Sequence, residues 1–123
     1  MPRKSTSKQP NNRDFPGEAR RLLFGGRSGA LSTTFRGKGG GPYGSLVTYA
    51  PDQDGSPIFL FSTLSDHTQN LDRDDRASLL IDRAQNLKNP QRGPRVTLMG
   101  RVKRTKTAFC GAPSGCCHVR RFR

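Results

Sequence analysis

Residues 58–82, IFLFSTLSDHTQNLDRDDRASLLID, constrain the fold more than any other part of the chain. An apolar run stops at Ser62, a short polar segment carries Asp66, His67, Thr68, Gln69 and Asn70, and a second apolar run restarts at Ala77. The order is strand, polar helical turn, strand. A strand end that releases hydroxyls, an imidazole and an amide into the first turn of a helix suits an anionic group, because the unpaired helical N–H donors sit there too. The corner reads as a holder for phosphate.

The remaining constraints come from size and charge. A chain of 123 residues has room for one domain, and an apolar share of 31% leaves it a small core. The formal charge of +13 suggests nucleic acid, since Lys and Arg neutralise phosphates and release counterions. Its distribution argues otherwise. Residues 1–13 hold four basic groups and residues 101–123 hold seven, with no acid in either segment, so the middle has eleven basic residues against all nine acidic ones. The reading is an ordinary domain, residues 15–103, between basic tails at 1–14 and 104–123, with nucleic acid not expected as a partner. Cys110, Cys116 and Cys117 fall at the C-terminal end with His118 beside them. Adjacent Cys116 and Cys117 do not suit one tetrahedral ion, so no metal site is expected and the thiols read as reduced ones in an irregular tail. No apolar run approaches the ~20 residues that cross a bilayer, and no signal peptide is evident, so no membrane contact and a cytoplasmic location are expected.

In chain order, Pro16 and Glu18 can open a short helix with Ala19, Leu22 and Leu23 on one face and Gly25 and Gly26 closing it. Residues 29–35 (GALSTTF) form a first strand, and GKGGG at 37–41 a flexible hairpin loop without the Lys-Ser/Thr pair of a nucleotide-gripping one. Residues 43–50 and 57–62 add two strands of an antiparallel meander, and residues 77–82 a fourth. The polar loop 83–94 leads to a fifth strand at 95–103, with a bulge expected at Gly100. Beyond Lys103 the periodicity is lost.

The ordered set GALST, PYGSLVTYAPDQDG, IFLFSTLSDHTQNL, ASLLID and GPRVTLMGRV resembles the pyridoxamine 5′-phosphate oxidase-like FMN-binding split-barrel family, on the branch that includes heme-utilisation proteins. The resemblance covers about residues 17–102, and its most specific piece is the spacing from Leu60 through S-x-L-x-x-H-T-x-N-L to Leu80. It implies a mainly β, antiparallel split barrel with short flanking helices, a homodimer, and FMN in a cleft shared by two subunits. It also implies flavin contacts from Ser45, Leu46 and Val47 on the second strand, a phosphate held by Phe61, Ser62, His67 and Thr68 with Asn70 behind them, and Arg95 near the isoalloxazine edge. No catalytic side chain is implied, since the cofactor would carry the chemistry of a flavin-dependent oxidoreductase and the protein would position it. The substrate would be a small molecule or a redox partner.

Two departures from the family pattern shape the expectation. Ser45 and Ala50 stand where true pyridoxamine phosphate oxidases carry basic residues, which argues against that substrate. The family's closing strand has no counterpart by pattern after residue 103, and the Arg-, Cys- and Gly-rich tail looks like a shifted reading frame or a truncated gene. Two other classes stay open at this point, a basic nucleic-acid-binding module without enzyme activity and an inactive truncated family member.

Overall fold

The computed structural model describes residues 13–105 and 117–123; the basic segment 1–12 and the thiols Cys110 and Cys116 lie outside the described residues. The elements are α1 (Phe15–Gly25), β1 (Ser28–Thr34), β2 (Pro42–Thr48), β3 (Ala50–Pro51), β4 (Pro57–Ser62), α2 (Asp66–Arg73), β5 (Arg76–Asp82), β6 (Arg95–Arg104) and β7 (Cys117–Phe122), with a single 3-10 turn at Pro90–Arg92. The seven strands form one sheet in the order β2-β1-β5-β6-β7-β4-β3, and every pairing is antiparallel.

Local chemistry explains the helix. Asp14 caps α1 by accepting the Gly17 N–H at 3.0 Å, Pro16 occupies the first turn where its missing N–H costs nothing, and Leu22 and Leu23 are the buried face. The strands follow from alternation. In β1 the odd positions Gly29, Leu31 and Thr33 are buried and the even ones exposed, and β4 buries Pro57, Phe59 and Phe61 in the same rhythm. Leu23, Leu31, Val47, Tyr49, Phe59, Phe61, Leu71, Leu79, Ile81, Val102 and Phe122 make one core on the concave side of the sheet.

Three expectations need correction. The first concerns the closing strand. Residues 104–123 are not wholly irregular, because β7 pairs with β4 from Ile58 to Ser62 on one side and with Val102 to Arg104 of β6 on the other. This strand escaped pattern reading because its inward positions are His118, Arg120 and Phe122, and Arg120, 2% exposed, is a charge at a core position. Asp72 on α2 makes that burial tolerable by accepting from Arg120 Nη2 at 2.5 Å.

The second correction is to the meander. β2 and β4 are not neighbours in the sheet. The chain bends at Tyr49, whose N–H still donates to Arg27 O at 3.0 Å, and then runs as β3 beside β4, so one bent segment feeds both edges of a curled sheet. The third is the bulge. Gly100 pairs with Ala77 in an unbroken register. A side chain there would come within 2.2 Å of the Arg123 carbonyl oxygen and 2.8 Å of the Phe122 ring, so glycine serves the close approach of β7.

The convex side of the same sheet is partly apolar. Ala30 lies between Leu46 and Leu80 in register, and Leu46 (83%) and Met99 (85%) are the most exposed large apolar side chains described. If β7 seals the core as its burial indicates, Phe122→Ala lowers folding stability by about 3–5 kcal/mol, read from the urea midpoint. A loss below 1 kcal/mol would mean that β7 is not part of the cooperative unit.

Candidate functional site

The continuous apolar run at β4 leads to the site. Its alternation buries Phe59 and Phe61 while Ile58, Leu60 and Ser62 face the convex side. A strand of a single-layer sheet with apolar residues on both faces needs cover on both. On the convex side Thr48, Ala50, Ile58, Leu60 and Val119 line a cavity of about 410 Å³, floored by Tyr49 and Phe59. Leu60 is 58% exposed, and it pairs directly with Val119 of β7.

Ser62, two residues beyond Leu60 on the same face, opens the polar corner at the start of α2. Its Oγ accepts the Leu64 N–H at 3.2 Å, and its carbonyl accepts from the Ser65 backbone at 3.3 Å and from Ser65 Oγ at 2.9 Å. Ser65 Oγ also lies 2.7 Å from Thr68 Oγ1 and 3.1 Å from His67 Nε2. With its one proton given to the Ser62 carbonyl, the Ser65 oxygen accepts from Thr68 and from the Nε2–H of a neutral imidazole. His67 stands edge-on to the Phe61 ring, centroids 4.4 Å apart. Burial pushes its pKa below the ordinary value, the Arg120 charge adds to that, and Asp66 opposes it.

Asp66 is turned away from this corner. It accepts from Arg36 Nη1 at 2.9 Å and from the Tyr43 hydroxyl at 3.1 Å. These bonds hold its carboxyl below the usual range, the Arg36 contact foremost, and the bond to Asp66 raises the Tyr43 phenol against the opposing Arg36 charge. Asn70, fully buried, clamps α2 to the hairpin by donating from Nδ2 to Thr33 Oγ1 at 3.1 Å and accepting the Arg36 N–H at Oδ1 at 3.0 Å.

The expected site residues thus divide into groups. Ser62, His67 and Thr68 converge on one corner, with Asn70 a half-turn behind Thr68. The side chains of Val47 (4%), Phe61 (3%), Thr68 and Asn70 are enclosed, so contact from those positions runs through the backbone. Leu46 and Val47 cannot both line one slot, because successive strand residues point to opposite faces and Val47 belongs to the core. Ser45 is half-buried on the concave side. Arg95 is remote from the corner. It opens the ten-residue β6 at the end away from β7, roughly 30 Å of strand at ~3.4 Å per residue, and donates from Nη1 to Gln91 O at 3.1 Å.

Sequence reasoning missed Ser65, Ile58, Leu60 and Val119. The signal for Ile58 and Leu60 was present in the unbroken IFLF run, which is not the pattern of a strand with one wet face. Val119 carried no signal, since β7 itself was not legible.

The comparisons with known proteins agree with this architecture. The model of the family described as CREG, beta-barrel matches residues 10–113, and the chain belongs to that family. Its fold is the mainly β split barrel of the pyridoxamine 5′-phosphate oxidase-like proteins. One relative, the non-canonical heme oxygenase HOZ, chloroplastic, from Arabidopsis thaliana, is 42% identical over 83 residues, which are 68% of this chain and 25% of that protein. A heme binding protein from Mycobacterium smegmatis superposes with a TM-score of 0.74 at 26% identity, over 86% of this chain and 49% of that one. A FAD-binding protein from Mesorhizobium loti shares the fold at 17% identity with a TM-score of 0.65, over 85% and 86% of the two chains. The chain therefore spans a quarter of the curated relative and about half of the mycobacterial structure. Among the described residues no helix is long and apolar enough to cross a membrane, and no cluster of His, Cys, Asp and Glu could hold a metal ion.

Two outcomes test the corner. Because the folded imidazole of His67 titrates lower than the ordinary value of 6.5, the unfolded chain takes up its proton first as pH falls. Stability therefore declines below that value until the folded imidazole is also protonated, and the decline is absent in His67→Gln when urea midpoints are compared across pH. Asn70→Ala orphans the Arg36 N–H and costs about 1–3 kcal/mol in the same assay.

Proposed function

We propose that the convex groove and the adjoining corner hold FMN and that the protein is a flavin-dependent oxidoreductase acting on a small molecule or a redox partner rather than on pyridoxamine phosphate. The observation that carries this reading is that Leu60, which lines the apolar slot, and Ser62, which opens the polar corner, share the convex face two residues apart on β4. The dimensions suit it, since ligand pockets run from about 300 to 1,000 Å³ and are apolar with a few placed polar groups. The isoalloxazine would lie over Leu60 and Val119. The phosphate would meet Ser62, Ser65 and the first N–H groups of α2, which the Ser65 side chain does not cap. Bound flavin supplies hydride and electron transfer, and the protein supplies orientation and exclusion of water.

A homodimer belongs to the same proposal. Leu46, Leu80 and Met99 are exposed on the convex face beside the groove, and a second copy would cover them. The cytoplasmic location expected from the sequence is part of the proposal as well.

A second reading is favoured by a specific observation. The 42% identical relative is named a heme oxygenase, and the 26% identical structure is named a heme binding protein. The residues of this chain suit heme iron less well, because the groove lining presents no imidazole or thiolate and His67 Nε2 is held by Ser65 at 3.1 Å.

Reconstitution separates the two. With FMN in excess, the desalted protein is expected to be yellow, to lose the flavin in Leu60→Asp, and to bind riboflavin about 10- to 100-fold more weakly for want of the charged phosphate contacts. Leu60 is exposed, so that substitution does not burden the core. Folded protein that stays colourless with FMN and develops a Soret band with hemin overturns the flavin reading in favour of the heme one.

A further inference from the structure

On folding, part of the basic excess of residues 101–123 joins cations from the middle of the sequence. At the end of the barrel where β1 leaves and β5 enters, three clefts adjoin. One is lined by Arg73, Asp74, Arg101, Lys103, Arg104 and Arg120 among others, the next by Phe35, Arg36, Gly37, Arg73, Asp74 and Arg76, and the third again by Arg76 with Met99. Shared Arg73 and Arg76 make them one band, and none of its lining residues belongs to the cofactor groove. With Lys38 of the glycine loop the band has eight cations against four carboxylates, Asp66, Asp72, Asp74 and Asp75.

Every one of those carboxylates is already taken. Asp74 accepts from Arg76, Asp66 from Arg36, Asp75 from Arg101 with Lys103 at 4.0 Å, and Asp72 from Arg104 and Arg120. Among the described residues neither Arg73 nor Lys38 has a carboxylate partner. Arg76, Arg101, Lys103 and Arg104 remain between 49% and 69% exposed, so their outer N–H groups are open to a further anion.

At one end of the band stands an aromatic pair. The rings of Phe35 and Tyr43 are stacked at 5.8 Å with an interplanar angle of 18°, and Phe35 is 38% exposed. The pair is held rigidly, since the Tyr43 hydroxyl and Arg36 both bind Asp66 and the Arg36 backbone is fixed by Asn70. The loop beside it carries little side-chain bulk. Gly39 and Gly40 have positive φ, and a side chain on Gly37 would strike the Phe35 ring at 2.3 Å.

We infer that this band is a binding surface for single-stranded nucleic acid, with Phe35 as the platform for a base and Arg73, Arg76, Arg101, Lys103 and Arg104 following the phosphates. A row of cations alone would suit any polyanion. A rigid, part-exposed ring with the Arg36 guanidinium 6.0 Å over it, beside that row, suits unpaired bases, whose faces are available to ring and guanidinium, and not a duplex, whose bases are stacked on one another. The surface shares no residue with the cofactor groove and goes beyond that reading, and it meets the proposed dimer face at Met99.

The test uses the full chain and a fluorescein-labelled oligouridylate, with anisotropy measured across a potassium chloride series. Phe35→Leu, which keeps apolar packing but removes the ring, is expected to weaken binding about tenfold with an unchanged salt slope. Arg76→Gln and Arg101→Gln should each reduce the slope of log K against log salt by about 0.7. Cooperative thermal melting of each variant establishes that it is folded. The inference is overturned by absence of binding, by equal binding of wild type and Phe35→Leu, by equal affinity for polyphosphate or anionic vesicles, or by unchanged slopes in both Arg variants, which would assign the binding to segments 1–12 and 106–116.

Discussion

A guanidinium buried in the sheet organises the rest of the molecule. Among the described residues β7 alone joins the β2-β1-β5-β6 half to the β4-β3 half, and Arg120 is its central inward residue. Removing such a charge from water is expensive unless a counter-charge follows it. Asp72 does so from the C-terminal half of α2, which ties the helix to the strand that closes the sheet. Arg120 Nε keeps no hydrogen-bond partner among the described residues, so the pair specifies position at some cost in stability. Arg121 adds outer fastenings, donating to Asp52 at 2.5 Å and to Asp54 at 2.6 Å in the turn before β4.

That closure has chemical consequences at both ends of α2. At the start of the helix, the Arg120 charge reinforces the desolvation that keeps His67 neutral, so the corner offers hydroxyls and N–H groups rather than an imidazolium. At its far end the acidic run 72–75 is spent neutralising arginines from β5, β6 and β7. The convex face between them is apolar at Leu60 and Val119 because β4 and β7 lie side by side there. One strand thereby sets the wall of the groove, the electrostatics of the corner and the rim of the basic band.

The legible parts of the fold were those whose burial alternates with polar exposure. α1, β1, β4, α2, β5 and β6 fall close to where their patterns put them, and S-x-L-x-x-H-T-x-N-L marks the corner because it sets hydroxyl and imidazole groups at a strand-to-helix junction. The roles within that signature were less legible. Thr68, read as a ligand contact, and Asn70, read as standing behind it, are enclosed and bonded to Ser65 and Thr33. A sequence shows which residues can donate hydrogen bonds; it does not show which of them have already found partners inside the molecule.

By itself the sequence determined the class of fold, antiparallel and mainly β, and the place of the polar corner, because periodicity and turn chemistry act over a few residues. Tertiary structure alone decided the fate of CHVRRF, in which a buried arginine hides the strand pattern until Asp72, distant in sequence, is brought beside it. It also decided the charge asymmetry. In the band, Arg36, Lys38, Arg73 and Arg76 of the middle of the chain are matched in number by Asp66, Asp72, Asp74 and Asp75, and the excess comes from Arg101, Lys103, Arg104 and Arg120 of the basic C-terminal segment. Their meeting in one cationic band depends on which strand ends come together, and that is a property of long-range pairing rather than of any local stretch.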